Sequence, residues 1–121
     1  MRTGRKITGG KYRKARKKKL SEYRKPPRLV LLGPEKKIRI RMRGGKFKVS
    51  FLKTNKANVT DPKTNTTKVV EIKNVLEVPS NRFLARKNVL VKGAIIETEL
   101  GKARITNRPG QEGQVNAVLI E

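Results

Sequence analysis

The sequence predicts an all-β fold: a small barrel of short antiparallel strands with a long basic N-terminal extension. Three observations predict it. From residue 29 onward apolar residues recur with a period of two rather than 3.6, Gly and Pro punctuate them repeatedly, and residues 1–28 are almost devoid of apolar side chains. At 121 residues the chain has the length of about one domain.

Residues 1–28 carry 13 Lys+Arg, one acid (Glu22), and Met1, Ile7, Ala15 and Leu20 as their only aliphatics. Burial of so little apolar surface does not offset the entropy of ordering a chain, so this segment is expected to be disordered in the free protein. Residues 11–19 hold seven cations in nine positions and can turn helical on a phosphate surface, while Gly4, Gly9 and Gly10 keep the first ten residues irregular. Pro26-Pro27 stiffens the exit from the extension, and residues 29–121 are expected to form the barrel domain.

The body opens with a strand over residues 29–32, closed by Gly33-Pro34. Next, Ile38, Ile40 and Met42 alternate with Arg39, Arg41 and Arg43; beyond Gly44-Gly45, Phe47, Val49 and Phe51 alternate with Lys46, Lys48 and Ser50. This is a hairpin signal. With Gly44-Gly45 as a two-residue loop, Met42 faces Phe47, Ile40 faces Val49 and Ile38 faces Phe51 on a core face. The other face then sets Arg43 against Lys46 and Arg41 against Lys48.

Residues 57–60 and 67–72 flank a turn, Asp61-Pro62-Lys63-Thr64-Asn65, in which Asp61 is expected to make an Asx-type bond, and residues 74–78 end at Pro79. A short helix is expected around residues 80–87, then strands over 88–91 and 94–98, a turn at Leu100-Gly101 and a strand over 102–106. That last hairpin mixes signs, with Glu99 facing Lys102 and Glu97 facing Arg104. Residues 106–113 read as a loop and residues 114–120 as the final strand.

The charge balance narrows the function. There are 32 Lys+Arg against 9 Asp+Glu, a formal net charge of +23. The charge is uneven: residues 1–60 hold 22 cations against Glu22 and Glu35, whereas residues 61–121 hold 10 against 7 acids. Such a chain is suited to a polyanion. His and Cys are both absent, which removes the commonest general base, thiolate chemistry and most zinc or iron–sulfur sites; no phosphate loop, dinucleotide fingerprint or carboxylate cluster for Mg²⁺ is evident. No enzyme activity, cofactor, metal or small-molecule substrate is therefore expected. No apolar run approaches a membrane span, and no h-region or lipidation motif is seen, so no membrane partner is expected either.

The candidate polyanion is RNA. In the extension the expected contacts are Arg2, Arg5, Lys6, Lys11, Tyr12, Arg13, Lys14, Arg16, Lys17, Lys18, Lys19, Arg24, Lys25 and Arg28, where flexible cations track phosphates and Tyr12 and Tyr23 can stack on a base or ribose. In the body they are the hairpin cations Arg39, Arg41, Arg43, Lys46 and Lys48, because a merely soluble face would mix signs. Arg82, Arg86 and Lys87 on the short helix, and Arg108 beside Pro109-Gly110, suit either an RNA contact or ordinary surface.

Arg5-Lys6-Ile7-Thr8-Gly9-Gly10, followed five residues later by Arg16-Lys17-Lys18-Lys19, resembles the N-terminal signature of the small-subunit ribosomal protein family S-eight-e of archaea and eukaryotes. The likeness extends through Ile40-Arg41-Met42-Arg43-Gly44-Gly45, Ala57-Asn58-Val59, Asp61-Pro62-Lys63-Thr64 and Asn81-Arg82. It continues over Lys92-Gly93-Ala94-Ile95-Ile96-Glu97-Thr98-Glu99 and Gly101-Lys102-Ala103-Arg104 to Arg108-Pro109-Gly110-Gln111. The compact length looks like that of the archaeal members. The resemblance implies a β-barrel with a basic extension, a structural component assembled on small-subunit ribosomal RNA beside neighbouring ribosomal proteins, cytoplasmic and without a catalytic role. An alternative stays open at this level, a ribosome assembly factor or RNA chaperone acting on precursor RNA, because a eukaryotic large-subunit biogenesis factor resembles the same domain.

Overall fold

Residues 57–59, 70–75, 96–98, 103–105 and 115–117 pack their small and β-branched side chains into one interior, and the strands that carry them close on themselves. The computed structural model describes residues 4–13, 15–23 and 26–120. Among these residues nine strands form two sheets. A closed five-stranded barrel is built from β4 (Lys56–Asp61), β5 (Thr66–Glu77), β7 (Ile95–Thr98), β8 (Gly101–Ile105) and β9 (Asn116–Leu119). A second, four-stranded sheet runs in the order β2 (Lys36–Arg41), β3 (Phe47–Thr54), β1 (Val30–Leu32) and β6 (Val89–Leu90). Among the described residues there are two short α-helices, α1 (Arg82–Arg86) between β5 and β6, and α2 (Pro109–Glu112) between β8 and β9.

A five-stranded barrel has a narrow interior, which explains why so many inward positions are small. Ala57, Ala94, Ala103 and Ala117 are buried beside Val59, Val70, Ile72, Val75, Ile96 and Ile105. On β5 the buried positions step from Val70 and Ile72 to Val75, and the register against β7 shifts between Ile72 and Asn74. The irregularity explains why residues 67–72 and 74–78, expected as separate runs, form one twelve-residue strand. Buried Ser50, Thr54 and Thr98 all have hydrogen-bond partners.

The barrel is not wholly antiparallel as expected. Its seam is a parallel pairing of β4 with β9, Asn58 opposite Asn116 and Thr60 opposite Val118, with a hydrogen bond of 3.0 Å from Asn58 Nδ2 to Asn116 Oδ1. A second parallel pair joins β1 to β3. The expected loop over residues 106–113 contains α2, started by Pro109 in its first turn and stopped by Gly113 in the left-handed region at φ 65°. The expected short helix is present as α1, with Asn81 Oδ1 accepting from the Phe83 amide at 2.9 Å.

Two hairpin registers also differ. In β7/β8 Glu97 pairs with Lys102 and Ile95 with Arg104, a slip of two that keeps every side chain on its expected face. In β2/β3 the slip is one. Arg41 pairs with Phe47, Arg39 with Val49 and Ile40 with Lys48. The loop contains three residues, Arg43–Gly45, closed by the Met42 amide donating to the Lys46 carbonyl at 2.7 Å, with Gly44 and Gly45 at φ 79° and 76°. A slip of one exchanges faces. Phe47 and Val49, expected in the core, are accordingly 53% and 44% exposed, and Met42, expected there too, stays on the face of Ile40 and is 48% exposed beside the loop.

Candidate nucleic-acid interface

The one-residue slip decides what the hairpin presents. The expected opposition of Arg41 to Lys48 and Arg43 to Lys46 is absent, and Arg41, Arg39 and Lys48 instead face Phe47, Val49 and Ile40 across the ladder. Arg39 lies diagonal to Phe47, and its guanidinium carbon sits 3.7 Å from the ring centroid, within stacking distance. Lys37 similarly places its ammonium 5.0 Å from the Phe51 centroid while pairing with Glu35 at 2.6 Å. This arrangement removes a like-charge penalty and replaces it with attraction, a physical reason for the chain to prefer the three-residue loop.

Arg39, Arg41, Arg43 and Lys46 are exposed, and none of them is ion-paired among the described residues. Lys48 departs from this group. It is half-buried on the opposite face beside Ile40, donating to Gln111 Oε1 of α2 at 2.6 Å. Next to it buried Ser50 donates from Oγ to the Gly110 carbonyl at 2.7 Å. Lys48 and Ser50 thus fasten β3 to α2, so the exposed hairpin stands on a braced base.

A second cationic group gathers where α2 meets the start of the body. Arg28, Lys92 and Arg108, all exposed, line one groove whose remaining walls include Leu90, Val91 and Pro109. Lys92 was not among the residues expected to contact RNA. The spacing from 28 to 92 to 108 is non-local and leaves no local mark in the sequence. Arg82 and Arg86 line a different groove beside β5 with Asn74 and Glu77, and Arg86 lies 5.8 Å from the Phe83 ring; Lys87 follows at the end of α1. The helix cations are therefore not brought together with those of the hairpin or of Arg108's groove.

Of the candidates before residue 29, Arg2, Lys14, Arg24 and Lys25 lie outside the described residues. Arg5 bridges to Lys11 around a turn, with the Arg5 side chain donating to the Gly9 carbonyl at 3.1 Å, and the Lys6 ammonium lies 5.7 Å from the Tyr12 ring. Further along, a 3-10 turn at Leu20–Glu22 is held by Glu22, which accepts from the Lys19 amide at 2.9 Å and from Arg16 at 2.8 Å. The Arg16 guanidinium, followed by the Lys19 amide, holds the Glu22 carboxyl below its ordinary value. Lys17, Lys18 and Lys19 are exposed, as are Lys11, Tyr12 and Arg13.

The acids assemble no group of three or more that could hold a metal ion among the described residues. Asp61 makes the expected turn bonds, accepting from the Lys63 amide at 2.9 Å and the Thr64 hydroxyl at 3.0 Å. Those two donors, the amide first, lower its pKa from the ordinary 3.8.

Residues 1–120 match the family model described as Ribosomal protein S8e. Among curated proteins the chain is similar to "Small ribosomal subunit protein eS8" of Methanococcus aeolicus, 52% identical over 117 residues, covering 96% of this chain and 91% of the relative. The proteins of the same name from Hyperthermus butylicus and Saccharolobus solfataricus are 49% and 48% identical, covering 96% and 97% of this chain and 87% and 89% of theirs. A family match over nearly the whole chain, at about half identity to archaeal members, establishes that this chain belongs to the ribosomal protein S8e family.

Proposed function

We propose that this protein is a structural constituent of the small ribosomal subunit, non-enzymatic, residing with that subunit in the cytoplasm and binding small-subunit ribosomal RNA beside neighbouring ribosomal proteins. Family membership supports the subunit assignment. For the RNA contact, the observation that carries the proposal is the exposed set Arg39, Arg41, Arg43 and Lys46, none ion-paired among the described residues, on a hairpin braced by α2. Residues 1–28 act as a basic extension that orders on RNA, and residues 29–121 act as the body. Arg28 and Arg108, with Lys92, supply a second phosphate contact at the junction.

The test is paired. Arg41→Glu with Arg43→Glu alters exposed side chains that face Phe47 and the turn, so the melting temperature of the isolated protein should hold, while incorporation into small subunits reconstituted from purified parts should fall steeply. Unchanged incorporation would overturn the hairpin's role. Co-sedimentation of the wild-type chain with mature small subunits through a high-salt wash tests the subunit assignment separately, since an assembly factor would leave with the wash.

A further inference from the structure

Soluble proteins scatter their exposed apolar side chains, yet one face of this hairpin carries two large ones near its end, Phe47 and Val49, both at least 44% exposed. They stand opposite Arg41 and Arg39 across the ladder, with Arg43 in the adjoining loop, and all three arginines are exposed. The Arg39 guanidinium at 3.7 Å occupies one face of the Phe47 ring, and the ring nevertheless remains 53% exposed. Added Cβ atoms on Gly44 or Gly45 would meet nothing within 4 Å, so the backbone beside the ring is open to close approach.

A phosphate contact alone requires none of this. Cations suffice for a duplex backbone, whereas an aromatic ring held flat by a guanidinium and ringed by further cations is the chemistry that takes up an unstacked base. We propose that the β2/β3 hairpin binds an unpaired RNA nucleotide, its base stacking on the free face of Phe47 to extend the Arg39–Phe47 stack, while Arg41 and Arg43 take the flanking phosphates. This rests on the RNA-binding reading above and specifies its substrate as single-stranded or bulged RNA at this hairpin.

The full chain contains no tryptophan, so Phe47→Trp creates a single fluorescent reporter at the site. The probes are a short oligoadenylate and a blunt RNA duplex with the same number of phosphates, both labelled for anisotropy. The expected result is that the oligoadenylate quenches the indole on binding and the duplex leaves it unchanged. Phe47→Leu, which keeps an apolar residue opposite Arg41 and so keeps the fold by thermal melting, should weaken oligoadenylate binding about five- to one-hundred-fold with little change for the duplex. Binding of both RNAs with unchanged emission and no selective loss in Phe47→Leu would overturn the stacking site while leaving the RNA-binding reading in place. Failure of the wild-type chain to bind either RNA would overturn both.

Discussion

Asp61 illustrates how much a single side chain can fix. Its two carboxylate oxygens satisfy the Lys63 amide and the Thr64 hydroxyl, so the turn between β4 and β5 is held by one residue bonding to its own backbone and near neighbour. Because its folded pKa is depressed below the ordinary 3.8, its contribution to stability is present above that value and disappears as the pH falls through the folded pKa. Asp61→Ala should therefore lower the melting temperature at neutral pH, and the gap between variant and wild type should close in melts at strongly acidic pH. A gap independent of pH would show that the carboxylate's charge is not what holds the turn. The Asx bond was legible because Asp-Pro-Lys-Thr-Asn carries its partners within three residues.

At the scale of elements, legibility divides by distance along the chain. Alternation located β2 and β3 because period two is a local signal, but Gly44-Gly45 suits a two- or a three-residue loop equally well, and the choice between them lies in cross-strand energetics. Arg41 opposite Lys48 repels, whereas Arg39 diagonal to Phe47 attracts; applied to both registers, that comparison favours the observed one. Helix α2 was missed although Pro109 and Gly113 bracket it as start and stop, since a four-residue helix has no apolar periodicity to detect. Its position is exacting. A Cβ on Gly110 would lie 2.8 Å from the Arg28 carbonyl oxygen, and one on Gly113 would lie 2.9 Å from Val49 Cγ1 and 3.2 Å from the Val49 carbonyl oxygen. Gly113→Ala combines that overlap with an unfavourable left-handed backbone at φ 65° and should cost about 1–3 kcal/mol in urea unfolding. The hairpin should lose its brace with it, so RNA affinity should fall as well. A variant of wild-type stability would mean that α2 and β3 can move apart freely.

Across the whole molecule, +23 spread over 121 residues makes salt act with opposite signs on folding and on binding. Screening relieves self-repulsion in the free protein, so its melting temperature should rise with added KCl, whereas RNA affinity should drop by about 0.7 to 0.9 log units per decade of salt for each phosphate contacted. Arg41→Glu with Arg43→Glu should flatten the binding slope. Parallel slopes of the same sign in the wild-type chain would refute the view that a polyanion supplies the missing counter-charge.

The seam between β4 and β9 has a consequence in time. Asn58 must wait for Asn116 before the barrel can close, and every strand between them has to be made first. Contacts of such separation carry a loop-closure cost and slow the final step of folding. A chain made from its N-terminus therefore exposes its most cationic half while the body remains an unsealed sheet with two bare edges. The order of synthesis places polyanion-seeking segments ahead of the sealed fold, and a polyanion met early would both neutralise them and keep those edges from pairing with other chains.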